Sequence, residues 1–117
     1  MKYLFFSLIL TMGLFGLDCE NAMTTIDMQE CAQQEYQIAD KRLNVAYKKL
    51  MESLDETAKV KLVNAQKKWI GFRDSEAEFI ADIFRDGTAQ GLLYSNAKTE
   101  LTQHRTKVLE QHFQDRN

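Results

Sequence analysis

The residues able to do chemistry in this chain are few, and most of them fall at helical spacings. Asp40 and Asn44 are four apart, so on a helix they share a face with Tyr36 and Tyr47. Gln66, Arg73 and Asp74 bracket Trp69 and Phe72, and Thr102 and Arg105 lie one helical turn apart. An arginine beside aromatic rings can stack on them and still fork-bond a carboxylate. Arg73 or Arg105 can therefore meet Asp40 or Asp74, and Arg105 is expected to reach one of these two carboxylates on another helix. The set reads first as a polar network that specifies the fold, and second as a binding surface.

Catalytic patterns are scarce. His104 and His112 are two helical turns apart, too far to share a metal comfortably, and Glu100 with His104 makes only two of the ligands a site needs. No serine has a histidine motif near it, and no glycine-rich loop is built to cradle phosphate. The chain reads as a protein that is not an enzyme and needs neither cofactor nor metal. One acidic cluster stands out. Between Asp74 and Asp86 only Arg85 offsets Asp74, Glu76, Glu78, Asp82 and Asp86. Glu78, Asp82 and Asp86 recur every fourth residue and would form an acidic stripe, either a solvated helix face or a docking surface for a cationic partner.

The elements that must position these groups follow from composition and periodicity. The 117 residues are 44% hydrophobic and 27% charged, ordinary globular values, with five glycines and no proline. So few turn-formers argue for long helices. The net charge of −2 is unlike that of a nucleic-acid binder. Met1 and Lys2 precede an apolar run ending at Gly16, the layout of a cleaved secretory leader and too short to span a membrane. Residues 17–117 then form one exported domain, with no stable membrane insertion once the leader is removed.

Cys19 and Cys31 are the only cysteines. A disulfide between them suits an oxidising envelope compartment. Lipid attachment at Cys19 would want a small residue before it, and Asp18 stands there.

Thr24 or Thr25 can cap a first helix with the stripe Tyr36, Ala39, Leu43, Tyr47, Leu50 and Leu54. Asp55 and Glu56 suit a turn or the next helix's first turn. A second stripe follows in Ala58, Leu62, Ala65, Trp69, Phe72, Phe79, Ile80 and Ile83, stopping near Asp86 and Gly87. A third helix is expected from Ser95 or Asn96, carrying Leu101, Arg105, Val108, Leu109 and Phe113. The expected fold is all-α, a small antiparallel helical hairpin with a third helix packed across it.

Three blocks carry a resemblance. They are Cys31 with Asp40-x-x-Leu43-Asn44-x-x-Tyr47-x-x-Leu50, then Leu62-x-x-x-Gln66-x-x-Trp69-x-x-Phe72-Arg73-Asp74, then Thr102-x-x-Arg105-x-x-x-Leu109. Together they resemble the lysozyme-inhibitor LprI N-terminal-domain family of small exported bacterial proteins, over nearly the whole chain after the leader. The resemblance implies an all-helical, disulfide-bonded, exported binding protein, with a protein partner that is a basic lysozyme in the family's named activity. It also implies a second bridge, but Ala77 and Ala97 stand near the places where family members carry that extra cysteine pair. A structural or housekeeping role in the cell envelope is the alternative. Animal lysozymes are strongly basic, so Glu78, Asp82 and Asp86 are the candidate partner-binding residues.

Overall fold

A computed structural model describes residues 19–21 and 24–117. The expected leader, residues 1–16, lies outside the described residues. The fold is all-α: α1 spans Thr25–Glu52, α2 Glu56–Ala81 and α3 Gln90–Arg116. Short 3-10 turns cover Cys19–Asn21 and Asp82–Phe84. Each of the first two helices begins where a side chain takes over an orphan backbone donor. The Thr24 hydroxyl accepts from Asp27 N at 3.0 Å, and Asp55 Oδ1 accepts from Ala58 N at 2.8 Å. The reversal between them is tight, because Ser53 Oγ donates to Leu50 O at 2.7 Å and covers a carbonyl at the end of α1.

The chain runs up, down and up. Near one end, Gln29 of α1 donates to Ser95 Oγ of α3 at 3.3 Å, and at the other end Lys49 of α1 lies 4.6 Å above the Phe113 ring of α3. Those pairs put α1 and α3 parallel. Arg105 of α3 meets Gln66 of α2, while Tyr94 near the start of α3 feels Asp74 and Glu78 further along α2, so α2 runs against both. The backbone of α3 packs closely on α1 and on α2, whereas α1 and α2 reach each other mainly through long side chains.

Small residues explain the close approach. The buried positions include Ala32, Ala39 and Ala46 on α1, Ala77 and Ala81 on α2, and Ser95, Ala97, Thr99 and Thr102 on α3. The larger core is Leu43, Leu50 and Leu109, with Tyr47, Leu54, Leu62, Trp69 and Phe113 packed against it. Cys19 and Cys31 form a disulfide with a Cα–Cα distance of 5.6 Å, which ties the leading 3-10 turn to α1. Ala77 and Ala97, near the positions of the family's second bridge, are both buried and packed.

Several sequence expectations need correction. Phe72, Phe79 and Ile83 were expected on the buried stripe of α2, yet they are exposed, Phe79 by 75% and Ile83 by 73%. Beyond Arg73, α2 buries the alanine face of Ala77 and Ala81 against α3, and that choice turns the bulky residues outward. Helix α2 ends at Ala81 rather than near Asp86, because the chain tightens into a 3-10 turn at Asp82. Asp86, not Gly87, takes the left-handed conformation, with φ of 62°. Gly87 serves a close approach instead, since a Cβ there would stand 3.1 Å from Phe84 O. Helix α3 begins at Gln90, five residues before Ser95, which is a buried mid-helix residue bonded to Gln29 and not a cap.

Candidate functional site

The polar residues of the sequence blocks converge where the three helices meet. Asp40 and Asn44 from α1 and Gln66 and Arg73 from α2 line one shallow groove of ≈ 290 Å³, with Leu43 and Tyr47 at its α1 wall. Their common placement follows from i, i+4 spacing on α1 and i, i+7 spacing on α2. Gln66 and Arg73 are buried, Asp40 is half-buried, and Asn44 is exposed.

Arg73 is held by its sequence neighbour. Its Nε donates to Asp74 Oδ1 at 3.0 Å, and its guanidinium lies 5.5 Å from the Tyr36 ring and 5.2 Å from the Trp69 ring. Trp69 also faces Arg105, whose guanidinium is 5.8 Å from the ring. Lys98 sits 4.2 Å from Tyr36 and 5.3 Å from Tyr94. Three rings, one from each helix, therefore interleave with three cations. A cation over an aromatic face contributes about 0.5–1 kcal/mol when exposed and about 2 when desolvated, so this node is a joint between helices.

The expected carboxylate partner of Arg105 is not what the structure shows. Arg105 Nε donates to the amide oxygen of Gln66 at 3.0 Å, and among the described residues no carboxylate lies within ion-pair distance. Asp74 is engaged by Arg73, and Asp40 lies on the groove that Arg73 lines. A neutral amide was the partner that a search for opposite charges overlooks. Burial pushes the Arg105 guanidinium below its ordinary value. Thr102, one turn away, is completely buried, and its hydroxyl has no partner among the described residues.

Tyr36 and Tyr94 are both held above the ordinary phenol value. Burial is the largest cause in each; nearby Arg73 opposes it, while Asp74 reinforces it, with Asp40 at Tyr36 and Glu78 at Tyr94.

The acidic residues lie elsewhere. Glu78 is in the last turns of α2, Asp82 opens the 3-10 turn and Asp86 sits in the left-handed bend beyond it. They are therefore not one continuous helical stripe, because the α-helical period stops at Ala81. Asp82 is paired with Arg85 through two bonds, at 2.9 and 2.7 Å, and this pairing holds its carboxyl below the usual range. All three acids are exposed, alongside exposed Phe79, Ile83 and Phe84. Glu100, His104 and His112 are exposed on α3. Among the described residues no group of three or more metal-binding side chains is assembled, and no helix is long and apolar enough to cross a membrane.

The fold and this joint define a small three-helix protein tied by one disulfide, with paired arginines stacked on a tryptophan at the helix junction. The chain belongs to the lysozyme inhibitor LprI family, whose model matches residues 18–109. It is 32% identical over 107 residues to an uncharacterized protein of Rhizobium meliloti (strain 1021), covering 80% of this chain and 77% of the relative. No solved structure matches it. At the level of the family, membership supports a lysozyme-inhibitor-like role and a protein partner.

Proposed function

We propose that this protein is an exported inhibitor that binds a lysozyme directly, using the end of α2 and the turn that follows it. The observation that carries the proposal is a juxtaposition. Phe79 and Ile83 are largely exposed, and Glu78, Asp82 and Asp86 are exposed within the same nine-residue stretch. Large aromatic and aliphatic side chains supply the buried centre of an interface, while charges around them steer encounter and select the partner. An acidic rim fits a basic enzyme. The leader-like start of the chain and the Cys19–Cys31 disulfide suit work outside the cytoplasm, where a lysozyme acts.

The test is a titration of the purified protein into a lysozyme turbidity assay on bacterial cells. Lysis should slow in proportion to added protein and stop slowing at a fixed molar ratio. Lysis unchanged at a large molar excess over a basic lysozyme would remove the inhibitor reading.

A further inference from the structure

The α1–α2 reversal and the end of α3 line a second, open cleft, of ≈ 460 Å³, away from the acidic surface. That volume lies within the roughly 300–1,000 Å³ of small-molecule sites. Its accessible apolar lining comes from Leu54, Ala58, Leu62 and Ala65, above the buried Leu50. Lys61 of α2 and Arg105 and Arg116 of α3 bring positive charge to the same cleft. Arg105 and Arg116 are eleven residues apart, three helical turns, and so share a face. None of the three cations has an ion-pair partner among the described residues. Asp55 is the one carboxylate in the lining, and its Oδ1 is occupied as the cap of α2.

Arg105 makes the imbalance informative. It is half-buried, its Nε is spent on Gln66, and its remaining N–H donors have no acceptor among the described residues. A partly desolvated guanidinium with free donors is complemented by an anion that accepts in fork geometry. An apolar lining beside it is complemented by a hydrocarbon body. We propose that this cleft binds small amphipathic carboxylates of the medium-chain fatty-acid type, with the carboxylate on Arg105 and the chain along Leu54, Ala58 and Leu62. The site is independent of the lysozyme-binding surface, and either assignment stands if the other falls.

Trp69 is the chain's single tryptophan and lies against Arg105, so its fluorescence reports on the site. Octanoate, 1-octanol and inorganic phosphate are titrated into the full chain, with calorimetry as a second readout. Octanoate should bind saturably at one site, and the other two on the order of tenfold more weakly or worse, since each lacks one half of the recognition. Arg105→Gln should weaken octanoate on the order of tenfold, as should the exposed rim pair Lys61→Gln with Arg116→Gln. Should Arg105→Gln fail to fold, as judged by circular dichroism, the rim pair decides. Equal affinity for octanoate and octanol, equal affinity for octanoate and phosphate, or octanoate binding untouched in the folded variants would each overturn the proposal. So would an absence of saturable octanoate binding by both readouts.

Discussion

Tyr36 stands where the charges of all three helices meet, between Arg73 of α2 and Lys98 of α3, with Asp40 one turn along its own helix. Burial favours the neutral phenol in the folded chain, and the same holds for Tyr94. Above the ordinary phenol value of 10.0, the unfolded chain has released protons that the folded chain still holds. These two tyrosines therefore stabilise the fold fully below about pH 10, and that contribution is lost as pH rises toward their folded values. The melting temperature of the wild type should fall more steeply above about pH 10 than that of Tyr36→Phe/Tyr94→Phe. Parallel pH profiles would show that neither phenol is perturbed by folding. At this scale part of the joint was legible in the sequence, because Tyr36 on α1 and Trp69 and Arg73 on α2 fall at helical spacings, whereas Tyr94 and Lys98 of α3 carried no such signal. The pairing of Arg105 was not. Periodicity assigns a residue to a face, but it cannot say that Asp74 is already taken by its neighbour Arg73, leaving Gln66 as the acceptor.

At the scale of elements, the disulfide does work that packing does not. The 3-10 turn at Cys19–Asn21 contributes no buried residue, and the bond to Cys31 ties it covalently to α1. Closing a loop of about a dozen residues stabilises the folded chain by about 3 kcal/mol in the chain-entropy model. Reduction should lower the melting temperature by roughly 10–20 °C for a domain of this size. A Cys19→Ser/Cys31→Ser variant should melt near the reduced value and ignore reductant. If wild type also ignores reductant, the cross-link is absent or spans chain that is ordered without it. The helices themselves were legible, since the α1 stripe and the cap at Thr24 are local signals, whereas Asp55, read as part of a turn or a first helical turn, is the cap of α2. Their ends after Ala81 and before Gln90 were not. Ala81 before the 3-10 turn and Ala89 before α3 make no side-chain cap, and the segment between is held by the Asp82–Arg85 pair and by Asp86 N donating to Gln90 Oε1 at 3.1 Å. The burial of small faces followed the same rule. Alanine at Ala77 and Ala81 packs tightest on α3, and a hydrophobicity count that favours Phe72, Phe79 and Ile83 points to the opposite side of α2.

Across the whole molecule the charges separate. The groove between α1 and α3 is lined by Lys41, Arg42 and Lys49 against Glu110, and the cleft at the α1–α2 reversal is also net positive. The end of α2 and the turn after it carry five acidic side chains against the single Arg85. A basic partner approaching this protein is thus favoured at the end of α2 over the two basic grooves, and the field helps to orient it before contact. Changing Glu78→Gln, Asp82→Asn and Asp86→Asn together removes three charges at nearly constant size. Asparagine tolerates the left-handed backbone at position 86, so the bend survives. Exposed charges contribute little to stability, and the Asp82–Arg85 pair is itself exposed, so the melting temperature should barely move. Association with a basic lysozyme should slow on the order of tenfold at low salt. The wild-type rate should fall toward the variant's as salt rises, since exposed charges are screened within about 8 Å at physiological ionic strength. Dissociation should change less, because Phe79 and Ile83 remain to hold the bound state. Stopped-flow association at two salt concentrations, beside a thermal melt, separates the outcomes. A folded triple variant that associates as fast as wild type at low salt would leave the apolar pair without its electrostatic guide and remove the acidic end from the interface.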